Sequence, residues 1–160
     1  MTDFETLLRS LSDGRVDFVI VGGLAAVAHG SARLTQDVDI VYSRTPENVR
    51  RLVAALASHS PYLRGAPRGL PFRWDEATLH RGLNFTLTTA VGDIDLLGEI
   101  AGGGNYEAIL PHTVVLDLFG RTCRCLDLPT LILVKRAAGR PKDLEVIAEL
   151  QVLLEERGSE

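Results

Sequence analysis

Asp37 and Asp39 stand two residues apart inside the otherwise apolar run D-V-D-I-V-Y. Aspartate is depleted in β-strands because its side chain competes for backbone hydrogen bonds and packs poorly on a pleated surface. Side chains of a strand alternate between faces, so both carboxylates point one way while Val38 and Ile40 point the other. The apolar pair anchors the strand in a core. The carboxylate pair is then two like charges side by side, which raise each other's pKa unless a cation joins them. Mg²⁺ suits such a site, since it takes a few carboxylates and completes its octahedron with phosphate oxygens and water.

The pattern recurs in G-D-I-D-L-L-G-E, where Asp93 and Asp95 share a face opposite Ile94 and Leu96. Asp93 follows Gly92 and reads equally well as the acid of a turn, whereas Asp95 lies deeper in the strand and is the better metal ligand. Placed beside the first pair, Asp95 completes a two-metal centre. One ion activates an attacking hydroxyl, and both stabilise the charge of an in-line displacement at phosphorus. Asp37, Asp39 and Asp95 are therefore the candidate catalytic and metal-binding residues.

Gly22-Gly23 sits directly after the apolar run Phe18–Val21. At a strand-to-helix corner such a pair lets backbone N–H groups approach a phosphate, with favourable partial charge from the helix start. A plain helix-entry turn is the alternative. G-G-L-A-A lacks the G-x-G-x-x-G spacing, and the chain has no Gly-Lys-Ser/Thr, so neither the dinucleotide nor the Walker reading applies. Among 17 basic residues only two are lysines, Lys135 and Lys142, eight positions apart inclusively. A lysine ammonium is a compact point charge suited to a triphosphate oxygen. Lys135 also reads as charge complementing a helix C-terminus. Lys142, in the first turn of a helix, is unfavourable for the dipole, which points to a ligand. Arg140 and Asp143 read either as part of this group or as a surface ion pair with a capping role.

The elements that must hold these residues follow from periodicity. Apolar positions 4, 7, 8 and 11 predict a helix, and Asp17 to Val21 a first strand. A small-residue helix follows from Leu24 to His29, then a strand from Asp37 to Tyr42. The next helix starts at Pro46, with Val49, Leu52, Val53 and Leu56 as its buried stripe. Ser60 to Pro71, rich in Pro, Gly and Arg, predicts a loop. Leu83 to Thr89 and Asp93 to Leu97 predict two more strands, and Tyr106 to Leu110 a short helix. Val114–Phe119 and Thr122–Leu126 flank Gly120-Arg121, a two-residue hairpin signature. Helices from Pro129 to Ala138 and from Pro141 to Arg157 close the chain. There is no internal repeat and no low-complexity segment. The expectation is an α/β (α+β) domain spanning residues 1–160, with a mixed central sheet of about five strands, flanking helices and a C-terminal helical pair.

At 160 residues the chain is long enough for its own core, and a net charge of −4 with 24% charged residues predicts no general affinity for nucleic acid. A local basic patch remains compatible with that balance. Phe18 to Ala28 is too short to span a bilayer, and the acidic, amphipathic start predicts no signal peptide, which makes the cytoplasm the expected compartment. Cys123 and Cys125 have no second Cys/His cluster to complete a zinc site, so they read as small buried hydrophobes.

On these residues the chain resembles the DNA polymerase β-like nucleotidyltransferase superfamily. Within it, the chain is similar to small stand-alone members that include toxins of type IV toxin–antitoxin systems and relatives of aminoglycoside and lincosamide adenylyltransferases. The resemblance rests on Gly-Gly at 22–23, R-L-T-Q-D-V-D at 33–39, G-D-I-D-L-L at 92–97 and the tail from Leu128 to Leu150. It implies the nucleotidyltransferase fold, with a core at about 15–126 and C-terminal helices at about 129–157. It also implies Mg²⁺-dependent transfer of a nucleoside monophosphate from an NTP to an acceptor hydroxyl with release of pyrophosphate. Asp37 and Asp39 would hold the metals, Asp95 would complete the site and orient or deprotonate the acceptor, and Gly22, Gly23, Lys135 and Lys142 would bind the nucleotide. RNA or tRNA, a protein or a small molecule are the acceptor classes, with an antitoxin as partner. Apart from the resemblance, Arg64, Arg68, Arg73 and Arg81 in and just after the loop read either as an RNA-facing patch or as an ordinary exposed loop. The alternative is a non-catalytic nucleotide- or partner-binding module of the same fold. Gly23 departs from the family, where serine is common, and leaves backbone donors without that hydroxyl.

Overall fold

Strong local signals start most helices. Asp3, Thr45, Asp75, Asn105 and Asp127 each accept a hydrogen bond from the backbone N–H three residues on, at the entry of a helix. These side chains satisfy donors that a helix start otherwise leaves open. The computed structural model describes residues 1–158. In chain order the elements are α1 (Phe4–Asp13), β1 (Phe18–Val21), α2 (Gly22–Ala28), β2 (Asp37–Tyr42), α3 (Pro46–Leu56), β3 (Tyr62–Leu63), α4 (Glu76–Arg81), β4 (Phe85–Thr89), β5 (Gly92–Leu97), β6 (Glu99–Ile100), β7 (Gly104–Asn105), α5 (Tyr106–Ile109), β8 (Thr113–Leu118), β9 (Arg121–Leu126), α6 (Leu128–Ala138) and α7 (Pro141–Gly158).

Seven strands form one mixed sheet in the order β3-β4-β5-β2-β1-β9-β8, and β6 and β7 pair separately. β2 runs parallel to β5 and β1 parallel to β9; the other pairs are antiparallel. β1 is buried along its whole length, as a strand covered on both faces must be. In β2 and β5 the period of two holds: Val38, Ile40, Ile94 and Leu96 are fully buried, while the aspartates between them keep partial exposure. α1 packs on α3 and α3 on α4, whereas α2 packs on α6 and α6 on α7. The aspartate-bearing face opens toward α2, α6 and α7.

The architecture is the mixed sheet with flanking helices and a C-terminal helix pair that the periodicities predict. The strand count differs. The stretch 60–71 is not all loop, because Tyr62 and Leu63 pair with Thr88 and Leu87 and add an edge strand. α4 lies where the sequence predicts no element; a six-residue helix has little intrinsic stability, and it depends on the Asp75 cap and the burial of Leu79. The hairpin also shifts by one residue. Leu118 faces Arg121, so Phe119-Gly120 is the two-residue turn, with φ of 53° and 76°. Both values are positive, as a type I′ turn requires. Cys123 and Cys125 are buried and unbridged, and burial pushes the Cys125 thiol up to about 12. No helix among the described residues is long and apolar enough to cross a membrane.

Candidate active site

The site is built by strand register. Parallel pairing of β2 and β5 sets Asp37 opposite Asp93 and Asp39 opposite Asp95. Four carboxylates from two D-x-D segments thus meet on one face of the sheet. Asp37, Asp39 and Asp95 each offer an oxygen within 4.8 Å of the others. Asp39 Oδ1 and Asp95 Oδ1 are buried and make no hydrogen bond. Burial, and then the facing charges of Asp95 and Asp37, push the Asp39 carboxyl up to about 7, against the pull of Lys135. Asp95 Oδ1 still has the Arg64 guanidinium 2.8 Å away, whereas Asp39 Oδ1 has no such neighbour. A buried acceptor without a donor is costly, and a hard divalent cation is the partner that answers three clustered carboxylates at once. The donor set therefore fits Mg²⁺.

The glycine corner is dictated by the same carboxylates. Val21, the last residue of β1, pairs with Asp39, so the chain turns into α2 directly against that side chain. Gly22 has φ of +65°, and a Cβ there would lie 2.1 Å from Asp39 Oδ2. No other residue fits without moving the acid. A Cβ on Gly23 would lie 2.7 Å from Thr35 Oγ1. The room that a serine would need at position 23 is filled by the Thr35 hydroxyl, which faces the same cavity. Sequence reasoning missed Thr35, although it sits within R-L-T-Q-D-V-D.

That cavity, of about 600 Å³, runs from Gly22, Gly23 and the three aspartates to a basic wall on α6 and α7. Lys135 is buried, with Nζ 3.9 Å from Asp143 Oδ1. Burial pulls its pKa down, while Asp143 and Asp39 pull the other way. Asp143 is only 2% exposed and far from a surface ion pair. Arg140 grips it with Nε at 2.7 Å and Nη2 at 3.2 Å on separate oxygens, and its backbone N–H donates to Asp143 at 3.2 Å. Burial raises the Asp143 pKa, but Arg140 and Lys135 outweigh it and hold the carboxyl below its ordinary value. Lys142 stands exposed at the cavity rim. Both lysines thus line the cavity that the aspartates face.

The four arginines of the 64–81 segment separate. Arg68, Arg73 and Arg81 are exposed, and Arg68 stacks over the Tyr62 ring at 5.3 Å. Arg64 turns inward instead. Its guanidinium lies 2.8 Å from Asp95, 3.4 Å from Asp93 and 3.7 Å from Asp37. The expected surface patch therefore loses Arg64, which leaves the end of β3, donates to the Leu87 carbonyl at 2.6 Å and reaches the carboxylates across β4. Asp93 stands outside the three-carboxylate cluster; its backbone N–H donates to the Thr2 hydroxyl at 3.1 Å.

No protein-family model matches the chain, and no curated protein sequence matches it significantly. Solved structures do match, at low identity and over nearly the whole chain. The lincomycin-bound lincosamide antibiotic adenylyltransferase LnuA is 15% identical with a TM-score of 0.62, covering 95% of this chain and 98% of its own. The antibiotic-resistance factor ANT(2'')-Ia is 15% identical with a TM-score of 0.54, over 96% and 88% respectively. An antigenic nucleotidyltransferase-like protein from Paracoccidioides brasiliensis is 15% identical with a TM-score of 0.55, over 93% and 72%. The chain has the nucleotidyltransferase fold.

Proposed function

We propose that the protein is a Mg²⁺-dependent nucleotidyltransferase that moves a nucleoside monophosphate from an NTP to an acceptor hydroxyl. The observation that carries this reading is the Asp37–Asp39–Asp95 cluster, with the buried unsatisfied oxygen of Asp39, at one end of a cavity whose other wall is cationic. Mg²⁺ held by these three carboxylates supplies charge neutralisation at the phosphoryl oxygens and eases ionisation of the acceptor hydroxyl. Gly22 and Gly23 let the backbone approach the triphosphate, and Lys135 and Lys142 neutralise its β- and γ-phosphates. Thr35 adds a hydroxyl donor at the corner. The acceptor oxygen forms a bond to the α-phosphorus, the bond to the β-phosphate oxygen breaks, and pyrophosphate leaves. The proton of the acceptor hydroxyl passes to Asp95.

The likeness to adenylyltransferases supports the same reaction class, including ANT(2'')-Ia solved with adenylyl-2''-tobramycin (15–16% identity to this chain). For the acceptor we favour RNA, with a toxin-like role and an antitoxin partner as the corresponding biology. Arg68, Arg73 and Arg81 are exposed, and Arg68 stacks on Tyr62, which packs edge-on against Phe72. Exposed cations beside aromatic rings disfavour a polycationic aminoglycoside and suit phosphates and bases. The test is incubation with α-labelled NTPs and Mg²⁺ against RNA, protein and small-molecule hydroxyl acceptors. Label is expected on RNA, with transfer that weakens steeply with salt and with Arg68→Ala and Arg73→Ala. Label on an antibiotic alone would move the acceptor class to small molecules. NTP binding without transfer to any acceptor would turn the reading into that of a non-catalytic module.

A further inference from the structure

We propose that Arg64 is the resident counter-cation of the aspartate cluster, and that a divalent metal takes Asp95 and Asp37 in competition with it. The inference rests on the metal-site reading above and assigns a role to a residue which that reading does not use.

The geometry distinguishes this role from that of a fixed clamp. Arginine binds a carboxylate most firmly as a fork, through two parallel hydrogen bonds. Arg140 holds Asp143 in that way, through Nε and Nη2. Arg64 does not. It spreads over three carboxylates, one nitrogen to each, at 2.8, 3.4 and 3.7 Å. Its buried Nε has no hydrogen bond, and neither does the Asp95 oxygen nearest its Nη2. Its one aligned hydrogen bond goes to the backbone carbonyl of Leu87. The guanidinium is therefore anchored to the sheet and only leans on the acids.

Position sets up the competition. Asp95 and Asp37 belong both to the three-carboxylate cluster and to the set that Arg64 touches, while Asp39 belongs to the cluster alone. Asp93 is touched by Arg64 and stands outside the cluster. When an ion draws Asp95 and Asp37 toward Asp39, the guanidinium keeps Leu87 and Asp93. The following residue, Gly65, has φ of +77° and open space around it, so the segment beyond Arg64 can follow such a shift. A positive charge this close to two metal ligands lowers the affinity of the nucleotide-free protein for divalent ions. The metal brought in by an NTP carries phosphate ligands of its own and is less affected. Arg64 would thus couple metal loading to nucleotide arrival.

The test is a Mn²⁺ titration of the full nucleotide-free chain, followed by the electron paramagnetic resonance of free Mn²⁺. Arg64→Gln is expected to lower the Mn²⁺ Kd by about tenfold, and Arg64→Lys, which keeps the charge, to stay within about threefold of wild type. Unchanged or weaker binding in a folded Arg64→Gln protein overturns the inference while leaving the metal site intact. Absence of Mn²⁺ binding in both wild type and Arg64→Gln overturns the metal site itself and the inference with it. A second readout needs no destabilising variant. The Arg64 Nε–H resonance of the wild-type protein, assigned by its loss in Arg64→Lys, should shift on addition of Mg²⁺. Mg²⁺ binding that leaves this resonance in place also overturns the inference.

Discussion

β2 and β5 carry the same pattern, D-V-D-I and D-I-D-L, side by side and in register, yet three of the four acids join one cluster and the fourth, Asp93, does not. On β2 the inner acid, Asp39, lies against Gly22, faces Asp95, and has an oxygen that no group among the described residues satisfies. On β5 the outer acid, Asp93, has Arg64 beside it and a backbone tied to Thr2. The same residue type at the same spacing is a buried, unsatisfied candidate metal ligand in one place and an ion-paired neighbour in the other. Neighbours across the sheet make the difference. A D-x-D pattern by itself says only which face the acids share.

The largest expected effect separates the three-carboxylate cluster from Asp93 by activity. Asp37→Asn or Asp39→Asn should lower nucleotidyl transfer by at least about 10³-fold, by analogy with loss of a charge that stabilises the transition state. Asp93→Asn should stay within about tenfold of wild type. Equal losses in single-turnover assays would erase the distinction. Two glycines of positive φ, Gly22 against Asp39 and Gly92 at the start of β5, give the next contrast. Gly22→Ala forces a Cβ into the Asp39 carboxylate and should cost about 3 kcal/mol of unfolding free energy together with the activity. Gly92→Ala, whose Cβ would meet Thr2 near the chain start, should cost stability but leave most of the transfer.

A third contrast is in pH. The Asp39 carboxyl is raised from 3.8 to about 7, through burial first and the neighbouring acids second. Between those two values the folded chain holds a proton that the unfolded chain has released. Without metal, stability should therefore fall as pH rises through this window, by about 4 kcal/mol in all, and level off above it. Urea midpoints at pH 5 and pH 8 in EDTA check this. Asp39→Asn should remove the decline and leave the variant more stable than wild type at pH 8, although inactive; Asp93→Asn should keep the decline. The smallest effect concerns stability alone: Asp93→Asn should change it by no more than about 0.5 kcal/mol at neutral pH, since its partner Arg64 is partly exposed and keeps other contacts. A larger loss would make Asp93 a structural anchor of the sheet.

Most of the cluster was legible because its signals are local. A polar residue in an apolar strand, a period of two and a glycine pair at a strand end all lie within a few residues, and the hairpin and both C-terminal helices show the same kind of short-range pattern. Arg64 was not legible. Its neighbourhood, P-Y-L-R-G-A-P-R-G-L-P, is dominated by turn formers, and β3 is two residues long and exists only through pairing with β4. The residues it meets are more than twenty positions away. Asp143 was ambiguous for a similar reason. Arg140 three residues earlier looks like an exposed i, i+3 pair, and only the packing of α7 against α6 shows that the acid is buried beside Lys135.

The pairing of β2 with β5 has a consequence for how the chain reaches its fold. Side chains alternate, so a slip of one residue in either strand would turn its two aspartates into the apolar layer and its two aliphatic residues out of it. The penalty for burying two unpaired carboxylates far exceeds that of most misalignments. Residues chosen for chemistry thereby act as proofreaders of assembly: a chain that has mispaired these two central strands cannot settle there, and must separate them and try again.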